Sequence, residues 1–237
     1  MDTRFFGPSA WQLFHLIAFK SEHPDDVLND MKDVLPCKFC RGSTTEFVKK
    51  HPLRGDPGKW LYDIHNMVND KLRTQCAADP TVVNPGEDPS FEEVKARYLK
   101  LKPTAVPGRD FLFSIASNYP VTPEPQDMSV QREFLRHLAS AYPFASLRKV
   151  FKKQPEPTLD SRSSYMHWMY KLLKDLSKEV GVSIRTYRGY AHHVAYYKSG
   201  CAKKTYHGKT CRRTQGGGST KDRDHRKTYR RSHIELL

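Results

Sequence analysis

No stretch of this 237-residue chain approaches the roughly 20 apolar residues that a membrane-spanning helix requires. The first residues, Met1-Asp2-Thr3-Arg4-Phe5-Phe6, lack the basic-then-apolar order of a secretory leader. The expectation is a soluble protein that is not exported by that route. Cysteine is sparse and odd in number, with five in the chain, so at least one has no partner within it. Without a leader, a dense structural disulfide framework is not expected, and redox or metal chemistry gains weight. Acidic residues are scarce only at the end. Lys+Arg against Asp+Glu is 15 to 15 over residues 1–102, 11 to 8 over 103–180, and 14 to 3 over 181–237. Most of the +14 net charge is therefore a basic appendage on an otherwise balanced chain. An end of that composition buries little apolar surface, and disorder is expected after about residue 212.

What is present reads as helices. Apolar residues from Trp11 to Ala18 fall at helical spacing, with Ser9 as the candidate cap after Gly7-Pro8. A second helix is predicted over Asp25 to Val34, stopped by Pro36, because the residue before a proline avoids helical backbone. A third starts at Cys37 and runs to about Lys50, and a fourth runs from Trp60 to about Leu72. Asp79 to Asp88 is a loop, and Phe91 to Leu101 a short fifth helix. The predicted fold class is all-α. A four-helix bundle with a short fifth helix occupies 1–102, a second helical module 103–180, and an aromatic, basic segment 181–237.

The second module reads as a weakened copy of the first. Leu112-Phe113-Ser114-Ile115-Ala116 echoes Phe14-His15-Leu16-Ile17-Ala18. Tyr142-Pro143-Phe144-Ala145-Ser146-Leu147-Arg148 matches Leu35-Pro36-Cys37-Lys38-Phe39-Cys40-Arg41, and Trp168 to Leu173 parallels Trp60 to His65. Three matches in one order point to a duplicated unit; the alternative is that helical bundles resemble one another. Phe144 and Leu147 then stand where Cys37 and Cys40 stand, and Leu173 replaces His65. The copy has lost its sulfur and is expected to be structural.

Cys37 and Cys40 carry the chemistry. Two intervening residues on the first turn of a helix bring the sulfurs within disulfide reach. The helix N-terminus favours a thiolate there, and Lys38 and Arg41 add positive charge. Alone, CxxC is either a redox pair or half of a zinc site. On the fourth helix His65, Val68, Asn69 and Leu72 recur at i, i+3, i+4 and i+7, so two polar residues share an apolar face and need partners.

Trp11 with His15, Pro36-Cys37-Lys38-Phe39-Cys40, Trp60, His65-Asn66-Met67-Val68-Asn69 and Cys76 occur in the order of a known pattern. From residue 4 to about 101 the chain resembles the Erv/ALR family of FAD-dependent sulfhydryl oxidases. The resemblance implies FAD inside the bundle, with Gly7, Trp11, His15, Cys40, His65, Asn66, Val68, Asn69, Lys71 and Tyr98 around it. It implies catalysis by Cys37, the outer sulfur that meets protein dithiols, and Cys40, which faces the flavin. Dioxygen is the implied final acceptor and hydrogen peroxide the product. A homodimer, or an intrachain pseudo-dimer using the second module, is implied as well. The family's partner for Cys76, near Val48, is absent. The tail composition is similar to that of members from large DNA viruses, which implies the cytoplasm of an infected cell or the virion.

Cys201 and Cys211 leave three readings: a mobile pair relaying electrons to Cys37 and Cys40, a static disulfide, or a zinc site with His207. The basic end offers phosphate contacts to nucleic acid, although no base-reading motif accompanies it. Two other functional classes therefore stand beside the oxidase: a zinc-stabilised nucleic-acid-binding protein and a redox-inactive scaffold.

Overall fold

The computed structural model of the chain describes residues 1–79 and 82–198. Among the described residues there are ten α-helices and no strand, as the patterning predicts. None of these helices is long and apolar enough to cross a membrane.

The first helix, α1 (Thr3–Lys20), begins earlier than its periodicity suggests. Asp2 caps it by accepting from the Arg4 N–H at 2.9 Å, and the Arg4 guanidinium returns to the same carboxylate at 2.6 Å. Ser9 therefore does not cap α1. Its Oγ accepts instead from the backbone N–H groups of Asp110 and Phe111, at 3.2 and 3.3 Å, across a hundred residues of chain. Those groups are the free N–H donors of α6 (Arg109–Asn118), whose own N-cap is Gly108 and has no side chain to offer. Both α1 and α6 are buried around most of their circumference, Phe5 to Ile17 on one and Phe111 to Ser117 on the other. They form the central pair of the molecule. Gly108 makes the close approach possible: it has φ +73°, and a Cβ there would stand 2.5 Å from Leu13 Cδ2.

Around that pair, four helices follow α1 in the first half and four follow α6 in the second. In the first, α2 (Asp25–Val34), α3 (Lys38–Lys50), α4 (Pro57–Ala78) and α5 (Phe91–Lys100) follow α1. In the second, α7 (Pro125–Ala141), α8 (Ala145–Lys152), α9 (Arg162–Val180) and α10 (Tyr187–Tyr196) follow α6. The halves meet like on like, α1 against α6 and α2 against α7. That is the arrangement of a self-complementary interface, and one apolar core runs through both halves. His137 on α7 reaches Asp30 on α2 at 2.7 Å across this seam.

Local details recur at aligned positions. The Arg41 guanidinium donates to Leu35 O at 2.5 Å, and Arg148 donates to Tyr142 O at 3.0 Å. The Trp60 indole N–H donates to His51 O at 2.8 Å, and that of Trp168 to Pro155 O at 3.0 Å. A hollow of 370 Å³ lies beside Trp60 and one of 470 Å³ beside Trp168, neither bordered by Cys37 or Cys40. The halves differ at the caps of α3 and α8. Cys37 has ordinary extended backbone, whereas Phe144 has φ 65° and ψ 120°. A bulky residue there is strained by about 1–3 kcal/mol.

The segment after Gly181 is not wholly an appendage. Within it α10 packs on α6, with Tyr190 and Val194 buried and the Tyr190 hydroxyl donating to Asp110 at 2.7 Å. Cys201, Cys211, His207 and the basic end lie outside the described residues.

Candidate functional site

Cys37 is the N-cap of α3, and the Cys40 N–H donates to its Sγ at 3.4 Å. The Cys37 thiol is brought down to about 6, chiefly by the hydrogen bond from the Cys40 thiol. The Cys40 and Phe39 N–H groups and the nearby α-amino group of Met1 act in the same sense, against the effect of burial. Cys40 moves the other way and holds its proton well above the ordinary thiol range. It donates to Cys37, is desolvated and feels the Cys37 charge, with Lys71 on α4 the main opposing influence. The pair titrates as a unit, with one proton held strongly and one weakly.

Exposure runs against the expectation that Cys37 is the outer sulfur. Cys37 is only 2% exposed, while Cys40 is half-buried. The α-amino group of Met1 is near Cys37, and the start of the chain is itself held by the end of α10. Met1 is 3% exposed, the Asp2 N–H donates to Tyr197 O at 2.9 Å, and the Phe5 and Tyr197 rings stack at 4.4 Å. Cys40, by contrast, is on the Lys71 side, toward α4.

Helix α4 has two unlike halves. Gly58, Trp60, Leu61 and Ile64 are buried, Gly58 so closely against Phe19 that a Cβ would meet its ring at 2.4 Å. From His65 to Ala78 no residue is fully buried, although Met67, Val68 and Leu72 are apolar. An apolar, polar-studded half-helix without a full covering layer is a surface suited to a ligand.

One end of it is closed by rings. Trp11 stacks on His65 at 3.9 Å with 11° between planes, and Tyr98 from α5 stacks on His15 at 4.8 Å. His15 Nε2 and His65 Nδ1 are 3.0 Å apart, and His15 Nδ1 is buried without a hydrogen-bond partner among the described residues. Burial holds both imidazoles neutral, His15 well below its ordinary value and His65 down at about 4. Burial also pushes the Tyr98 phenol up to about 12. Farther along, Lys71 Nζ hydrogen-bonds Ser43 Oγ. Asn69 donates to Asp88 at 2.7 Å, and Asp88 is held below the usual carboxylate range mainly by Arg73, 2.6 Å away.

Residues 8–84 match the Erv1 / Alr family. That stretch runs from α1 through α4 and includes both cysteines of the CxxC; Tyr98 and the whole second half lie beyond it. The mitochondrial FAD-linked sulfhydryl oxidase ERV1 of Saccharomyces cerevisiae (strain ATCC 204508 / S288c) is 28% identical over 85 residues. The alignment covers 30% of this chain, and the chain spans 45% of that relative's length. No solved structure matches the chain.

The fold thus brings Trp11, His15, His65 and Tyr98 into one ring cluster, with Asn69 and Lys71 down the same helix as His65. Gly7, Asn66 and Val68 are half-buried on α1 and α4. Cys76 is a free thiol near the end of α4. Sequence reasoning missed Ser43, Asp88 and Arg73. Ser43 carried a signal, being one helical turn beyond Cys40; Asp88 sits in a loop whose return to α4 no periodicity announces. Among the described residues, no group of three or more His, Cys, Asp or Glu side chains is gathered to hold a metal ion.

Proposed function

We propose that the first half is an FAD-dependent thiol oxidase that makes disulfides in protein substrates through Cys37 and Cys40. The observation that carries this reading is a CxxC at the N-terminus of α3, with the Cys40 N–H donating to Cys37 Sγ, in the same half as a ring cluster of Trp11, His15, His65 and Tyr98 whose His15 Nδ1 has no partner among the described residues. The residues present fit a flavin nucleotide. Trp11 and Tyr98 offer flat apolar faces, and His15 Nδ1 is a polar atom awaiting a partner. Asn69 and Lys71 supply donors, and the underfilled half of α4 supplies a wall. FAD bound there would accept an electron pair from the reduced cysteines and pass it to dioxygen, giving hydrogen peroxide.

The chain's own part is thiol chemistry. With the pair oxidised, a substrate thiolate attacks Cys37 Sγ, forming a mixed disulfide and releasing Cys40 as thiolate, which Lys71 stabilises. A second substrate thiolate attacks the substrate sulfur of that disulfide and expels Cys37. Expulsion is assisted by the Cys40 N–H, which donates to Cys37 Sγ at the N-terminus of α3. The substrate leaves as a disulfide, and the two electrons stay on the pair.

Cys201 and Cys211 act as a relay in this account. The covered face of Cys37 supports it. Lys198 is near the Met1 amino group, which itself neighbours Cys37. Cys201 lies three residues farther, a span of about 10 Å at most. The second half is proposed as a degenerate copy making an intrachain pseudo-dimer, a reading supported by the like-on-like helix pairs and the repeated arginine bonds.

Replacing Cys40 by Ser tests the central step. Dithiothreitol-dependent oxygen consumption should vanish while the helical spectrum is kept; turnover that persists would remove the CxxC from the mechanism.

A further inference from the structure

We infer that Phe144, from the second half, is a positioning residue for the ring cluster of the first; the inference rests on that cluster lining an FAD site. Phe144 precedes α8 as Cys37 precedes α3, and the bonds from Arg41 to Leu35 and from Arg148 to Tyr142 put the two positions in register. Across the seam Phe144 meets the end of α5. There Lys20 Nζ donates to Leu99 O at 2.8 Å and Leu101 O at 3.0 Å, and lies 5.2 Å over the Phe144 ring.

Backbone at φ 65° and ψ 120° suits glycine, yet the residue is phenylalanine. A bulky side chain persists in such a conformation only where its surroundings hold it. The ring packs on the cluster of Leu16, Val94 and Tyr98 in the first half. Tyr98 stacks on His15, His15 pairs with His65, and His65 stacks on Trp11. Phe144 thus packs against the cluster that holds Tyr98, and Tyr98 is one end of that line of rings. Its backbone strain and its packing on that cluster oppose one another, so substitution separates them. Glycine relieves the first and deletes the second.

The test is a titration of full-length protein, freed of flavin, with FAD, followed by flavin fluorescence. Thermal unfolding of the same flavin-free samples is recorded in parallel. Phe144→Gly should bind FAD about 10-fold more weakly, with the flavin-free unfolding midpoint equal to or above that of the parent, and Phe144→Tyr should restore parental affinity. Weaker binding accompanied by a matching fall in the flavin-free midpoint would reduce Phe144 to an ordinary core residue and overturn the inference. Equal affinity in the parent and Phe144→Gly would overturn it as well, while leaving the cofactor reading intact. A parent that binds no FAD would overturn both.

Discussion

His15 Nε2 and His65 Nδ1 stand 3.0 Å apart, each ring also stacked on an aromatic partner, Tyr98 for one and Trp11 for the other. One imidazole must donate and the other accept, so the contact exists only while the pair is not doubly protonated. Both are held neutral by burial, with folded-state values below the ordinary 6.5. A histidine whose folded value is depressed costs stability as it is charged. The native state should therefore be fully stable above about pH 6.5 and lose stability as pH falls toward 4. Asp88 is held below the usual carboxylate range, so its own loss lies at the lower edge of that window or beneath it. Urea midpoints between pH 7 and 4 should fall steeply for the parent and less steeply for His65→Asn. Parallel slopes in the two proteins would show that the pair does not govern acid stability.

Cys37 should be the acidic thiol of the reduced pair. Its folded value of about 6 lies below the unperturbed 9.0, so the thiolate forms as pH rises through 6. Ultraviolet thiolate absorbance of the reduced protein should rise through that range, and the rise should be lost in Cys37→Ser. A profile rising only above pH 8 would contradict the hydrogen-bonded arrangement at the α3 cap.

Gly108→Ala should destabilise the molecule by about 2–4 kcal/mol. It forces a Cβ into the left-handed region and drives it against Leu13 at 2.5 Å, at the contact of the central helix pair. Ser9→Ala, which uncaps α6 from the neighbouring helix, should cost about 1 kcal/mol. Urea unfolding measures both. A Gly108→Ala protein as stable as the parent would mean that α1 and α6 are not packed this closely.

Much of the fold was legible in the patterning. The bounds of α2 agree because Asp25 and Pro36 bracket an apolar stripe, and α3 and α5 agree to a residue at their ends. The start of α1 was hidden by Gly7-Pro8, which reads as a stop, yet Pro8 lies inside the helix. Ser9 looked like a local cap because sequence spacing cannot reveal a neighbour a hundred residues away. Helix α4 runs on past Leu72 to Ala78 through residues none of which is fully buried, so its last turns carry no apolar signal. Tyr190 and Val194 of α10 are buried, but basic and aromatic neighbours masked that stripe. At the site, Trp11, His15, His65 and the cysteines were legible as a pattern. The burial of Cys37 was not, nor the bond by which Asp2 ties the start of the chain to Tyr197 at the other end of the described chain.

The relay role of the distal cysteines separates large from small substrates. Changing Cys201 and Cys211 together to Ser should slow oxidation of a reduced protein at least several-fold more than oxidation of dithiothreitol. An equal effect on both would assign these cysteines to a static bond.

The most direct measurement is the visible absorbance spectrum of the purified protein, before and after dithiothreitol under nitrogen. The account predicts a yellow protein with a flavin band that bleaches as electrons pass from dithiol through Cys37 and Cys40, and that returns on admitting air. In Cys40→Ser the band should be present and should not bleach. A colourless protein, or a flavin band that bleaches equally in Cys40→Ser, would contradict it.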